Sequence, residues 1–63
     1  MEANLKIKEY LDSHGITQAF LVSKTGISQE KMSNIINGKR RVTADELGKI
    51  ANALNVSADI FLQ

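Results

Sequence analysis

The side chains able to do chemistry are gathered in the middle third of this 63-residue chain. Lys24, Lys31, Lys39, Arg40 and Arg41 lie between residues 24 and 43 against a single acid, Glu30, a local charge of +4. The flanks lean acidic. Residues 1–23 set Lys6 and Lys8 against Glu2, Glu9 and Asp12, and residues 44–63 set Lys49 against Asp45, Glu46 and Asp59. The net charge is only +1, but a localised basic patch lets a nearly neutral protein attract a polyanion. Among these cations run short polar side chains, Ser28, Gln29, Ser33 and Asn34, with Met32, Ile35 and Ile36 between them. That spacing describes an amphipathic helix. A solvated helix face has the same pattern, but the basic run directly after it favours a contact surface.

Other chemistries lack their parts. Nucleophilic catalysis needs a nucleophile, a base within reach and a group that stabilises charge. The chain has one histidine, His14, and no cysteine. His14 has no neighbours with which to share a metal; near a helix C-terminus its protonated form suits the local dipole. Asn37-Gly38-Lys39 has one glycine and is no phosphate-cradling loop. The acids are scattered. An enzyme is therefore not expected, nor a metal, a cofactor or a small-molecule ligand. No apolar run approaches the ~20 residues of a membrane span. Met1-Glu2-Ala3-Asn4 also lacks the basic-then-apolar pattern of a secretory leader. These features predict a cytoplasmic protein with no membrane partner.

The elements that must position the polar residues are helical. The length suits one domain, residues 1–63. Such a chain buries only ~60% of its unfolded surface, so good capping matters. Ile7, Tyr10, Leu11 and His14 follow the i, i+3, i+4, i+7 spacing, and Leu47, Ile50, Ala51 and Leu54 repeat it. Four hydroxyl residues, Thr17, Ser28, Thr43 and Ser57, mark helix starts. Each is preceded by an apolar residue (Ile16, Ile27, Val42, Val56), with another four positions on (Leu21, Met32, Leu47, Phe61). That is the hydrophobic staple, and Glu46 adds a capping box to Thr43. Gly15, Gly26, Asn37-Gly38 and Asn55 mark the stops. The pattern predicts five helices, near 3–14, 18–25, 29–36, 44–54 and 58–62. The second and third are joined by a short turn at Thr25-Gly26-Ile27, a helix-turn-helix unit over about 17–36.

The stretch Thr17 to Lys39, TQAFLVSKTGISQEKMSNIINGK, resembles the helix-turn-helix of lambdoid phage repressors and Cro proteins, the Cro/C1 or XRE family. A helix over Ala44–Leu54 and a closing segment from Val56 to Leu62 extend the likeness over nearly the whole chain. The resemblance implies an all-α, compact five-helix bundle whose third helix enters the major groove of double-stranded DNA. It places Ser28, Gln29, Glu30, Ser33 and Asn34 against base edges. Gln29 suits adenine and Glu30 suits the amino group of cytosine. Gln18, Lys31, Asn37, Lys39, Arg40 and Arg41 are placed at phosphates, Lys31 also within reach of guanine. On this reading, removing Arg40 lowers the salt dependence of binding by about one counterion.

The resemblance further implies a bacterial or phage repressor that binds a palindromic operator as a homodimer. Ile60, Phe61 and Leu62 are candidates for the dimer surface, although some of them must fill the core. Three residues depart from the family pattern. Val22 replaces a usual alanine where two helices approach, which demands a slight separation or repacking. Thr25 replaces an apolar residue. Phe20 replaces a glutamate that closes the capping box with Thr17, and is expected either to fold back over Leu5 or the first helix, or to mark a protein contact. Two alternatives remain: a helix-turn-helix fold used as a protein-interaction module (adaptor or antirepressor type), and a DNA-binding piece of a longer regulator.

Overall fold

The computed structural model describes residues 2–62. They form four α-helices, α1 (Glu2–His14), α2 (Gln18–Thr25), α3 (Gln29–Ile36) and α4 (Ala44–Leu54), followed by a 3-10 turn over Ala58–Phe61. The fifth helix expected from the sequence is thus one turn rather than an α-helix. Its hydrogen bonds have three-residue spacing, from Ile60 N to the Ser57 carbonyl (3.2 Å) and from Leu62 N to the Asp59 carbonyl (3.0 Å). The segment is too short for an α-helical ladder, whose bonds reach back four residues.

The caps lie where the hydroxyl pattern predicts. Thr17, Ser28 and Thr43 each accept a hydrogen bond from the backbone N–H three residues on, at 3.2 Å in each case. Ser57 accepts from Asp59 N, only two residues on (3.3 Å), in keeping with the tighter turn. Thr43 and Glu46 form the reciprocal capping box, with Thr43 N donating to Glu46 Oε1 at 3.0 Å. Gly15, Gly26, Gly38 and Asn55 take positive φ. In the Asn37-Gly38 pair the left-handed residue is Gly38, at φ 73°, while Asn37 stays at −85°.

One core joins all the elements: Ile7, Leu11, Leu21, Ile27, Met32, Leu47, Ile50, Ala51 and Phe61 cluster with little or no exposure. Removing this apolar area from water is the main drive to fold. Tyr10 meets Phe61 edge to face at 5.8 Å between centroids, joining α1 to the closing turn. Of the closing residues, Phe61 is in the core at 1% exposure, whereas Ile60 and Leu62 are exposed at 38% and 63%. Val22 is half-buried against the core, beside fully buried Leu21 and Met32. α2 and α3 are in contact along this stretch.

Candidate nucleic-acid interface

The orientation of α3 is set by the turn before it. Gly26 caps α2 at φ 76°, and its N–H donates to the Val22 carbonyl at 3.1 Å. A Cβ there would meet open space, so the demand for glycine is conformational alone. Thr25 completes the turn. Its hydroxyl donates to the Leu21 carbonyl (2.6 Å) and accepts from Ile27 N (3.2 Å). This residue, a departure from the expected pattern, ties the end of α2 to the turn that leads into α3. A hydroxyl one turn beyond a carbonyl and beside a glycine is the signal that marks such a bridge.

α3 buries Met32 and Ile35 completely. At 100° per residue, Glu30, Ser33 and Asn37 then point away from the core, with Gln29 and Asn34 beside them. Ser28, Gln29, Glu30, Lys31 and Asn37 are exposed, and Ser33 and Asn34 half-buried. Ser33 accepts a hydrogen bond from Asn37 Nδ2 at 3.2 Å. Gln18, half-buried, opens α2. Lys39 and Arg41 are exposed in the loop after α3, and Arg40 is half-buried between them. The polar residues of α3 expected at bases and the basic loop are therefore continuous along one stretch of chain, with Gln18 at the first turn of the helix before it.

Arg40 is tied to the helix that follows. Its guanidinium forms a two-pronged pair with the Glu46 carboxylate. Nη1 reaches Oε1 at 3.1 Å, Nη2 bonds Oε2, and Nη1 also donates to the Arg41 carbonyl at 2.9 Å. The Arg40 hydrogen bonds, with those from Thr43, hold the Glu46 carboxyl down at about 2, and the carboxylate in turn raises Arg40 above its ordinary value.

A residue that sequence reasoning missed also acts on this loop. Asn4, the single buried polar residue among those described, donates through Nδ2 to the Ile35 carbonyl (2.6 Å) and to the Arg40 carbonyl (2.9 Å). No local signal distinguishes it, because its partners lie 31 and 36 residues away.

Away from this face, Phe20 is 39% exposed and lines an apolar groove with Ile16, Ala53 and Leu54. Leu5, the cover expected for it, is 55% exposed and not part of that groove. Phe20 instead carries Lys24 Nζ over its ring at 5.8 Å. His14 stacks on Tyr10 (4.0 Å, 18°) and its Nδ1 bonds the Tyr10 carbonyl at 2.9 Å, a local closure of α1.

A helix-turn-helix with an exposed polar second helix is the structural setting of a profile match: residues 6–60 match the Cro/C1-type HTH DNA-binding domain. The chain belongs to that family. The Cro/C1-type match spans both helices of the unit, the basic loop and α4, so the likeness rests on the whole fold. No curated protein and no solved structure matches the chain significantly. As a Cro/C1-type domain it is a DNA-binding module, from a family that binds rather than catalyses. Among the described residues no helix is long and apolar enough to cross a membrane.

Proposed function

We propose that this domain is a sequence-specific transcriptional regulator, a repressor that binds a palindromic operator as a dimer in the cytoplasm of a bacterium, on host or phage genes. The observation that carries the reading is the outward face of α3, polar along its length and followed at once by the basic loop. A major groove ~12 Å wide admits one such helix. Gln29 offers a bidentate pair to adenine and Glu30 accepts from a cytosine amino group. Ser28, Ser33 and Asn34 complete the base-facing set. Of the six residues expected at phosphates, Gln18, Lys31, Asn37, Lys39 and Arg41 meet them and fix register, supplying salt-sensitive affinity, while Arg40 is engaged by Glu46.

A single small domain makes a modest interface, so two copies one helical turn (~34 Å) apart account best for useful affinity. Ile60 and Leu62, exposed beside the core residue Phe61, are the apolar side chains offered for that pairing. The groove at Phe20 favours a second reading, a helix-turn-helix fold that docks a protein.

Selection of binders from random duplex DNA at low salt separates these readings. An enriched inverted repeat is the expected result and supplies the operator. An enriched single half-site removes the dimer and keeps base reading. Absence of enrichment with folded protein overturns the regulator and leaves the protein-docking reading.

A further inference from the structure

The loop between α3 and α4 is tied down from three directions. From α3, the Asn34 carbonyl accepts the N–H groups of Lys39 (2.8 Å) and Arg40 (3.3 Å). From α1, buried Asn4 holds the Arg40 carbonyl, and with the same amide group the Ile35 carbonyl. From α4, Glu46 grips the Arg40 guanidinium while closing the capping box with Thr43. The Glu46 side chain is only 14% exposed and that of Arg40 31%. The guanidinium thus spends its fork on one carboxylate and one neighbouring carbonyl. A fork–fork pair of this kind fixes geometry as well as charge.

We infer that Arg40 is a positioning residue rather than a phosphate ligand: paired with Glu46, it holds the loop so that the exposed Lys39 beside it is presented to the DNA backbone. This rests on the reading of that loop as a phosphate contact. The physical basis is preorganisation. A loop fixed before binding loses little side-chain and backbone freedom when it meets its partner. On this view the basic run divides its labour, with Arg40 turned inward to aim Lys39.

The two roles make opposite predictions for Glu46. If Arg40 is a positioning residue, Glu46→Gln loosens the loop and weakens DNA binding. If Arg40 is a phosphate ligand, the same change frees a cation and removes a repelling anion, so binding tightens. Glutamine preserves the capping box, so α4 keeps its start. The experiment measures binding of the full chain to a labelled 20-base-pair random-sequence duplex over a salt series, since backbone contacts need no operator.

Arg40→Gln and Glu46→Gln should each weaken binding roughly three- to tenfold. The charge-conserving double variant should lose no more than either single change, because both break one unit. The salt slope of Arg40→Gln should stay near that of the native chain. Amide exchange at Lys39 and Arg40, measured on the free proteins, should speed up in all three variants. Tighter binding by Glu46→Gln, or a slope lower by about one in Arg40→Gln, overturns the inference in favour of a phosphate ligand. Faster exchange with unchanged DNA affinity also overturns it, since the clamp then holds the loop without aiding binding. If the native chain binds no duplex, the DNA reading itself fails; exchange then tests the clamp alone, and unchanged protection removes it too. Circular dichroism confirms that each variant is folded at the temperature used.

Discussion

The two connections that flank α3 are built in different ways. The α2–α3 turn is local: Gly26 supplies the left-handed residue, and Thr25 bonds groups four residues before it and two after. The α3–α4 loop depends on distant residues. Its Arg40 carbonyl is held from Asn4, 36 positions away, and its Arg40 side chain from Glu46 on the next helix. One connection sets the angle at which α3 is presented. The other sets where the charges beyond it stand. A recognition surface can thus combine a joint made by neighbours in sequence with a platform made by neighbours only in space.

The largest way to break this comparison is Asn4→Leu. It keeps the branched outline in a larger, apolar side chain and leaves the Arg40 carbonyl without its Asn4 donor, while the Ile35 carbonyl keeps the Gly38 N–H at 3.1 Å. An orphaned buried group costs ~1–3 kcal/mol, and overpacking a buried site adds ~1–3 kcal/mol. We expect a loss of about 3 kcal/mol by urea denaturation, with faster amide exchange in the loop but little change at the α2–α3 turn. Equal loosening of both connections would remove the distinction between them.

Gln29→Ala probes what the local turn aims. It should cost about 2 kcal/mol of binding to a selected site and relax preference at one base pair. A uniform loss on every sequence would take Gln29 out of the base-reading set. Thr25→Val keeps the shape of the turn but removes its hydroxyl bridge. It should destabilise by about 1 kcal/mol, and an unchanged melting temperature would show that Gly26 alone makes the turn.

The smallest effect is in acid. Glu46 is held at about 2 against an ordinary 4.5, so its contribution to stability is complete above pH 4.5 and fades as pH falls toward 2. Arg40→Gln removes the largest cause of that depression and should flatten the stability curve in that window. An identical acid limb in the variant would mean that the pair contributes nothing in solution.

Much of this protein is legible along the chain. The hydroxyl caps at Thr17, Ser28 and Thr43, the staple pattern and the left-handed stops all follow from bonds within one helical turn. The polar face of α3 follows from Met32 and Ile35, which bury its other side. The closing segment was less legible. Ala58–Phe61 carries a cap and a staple residue, but only its length and the seating of Phe61 in the core make it a 3-10 turn. Phe20 was visible as an anomaly, yet its neighbours Ala53 and Leu54 come from α4 rather than α1.

The sequence by itself determined the helices, their order, the helix-turn-helix spacing and the position of the basic run. Periodicity and capping depend on residues within about four positions of one another, so one dimension suffices to record them. Only the tertiary structure decided that Phe61 is core while Ile60 and Leu62 are surface, that Asn4 anchors a loop 36 residues on, and that Arg40 turns to Glu46. Those outcomes depend on which helices come to lie side by side. The packing of one shared core sets that arrangement, and a list of residues along the chain does not contain it.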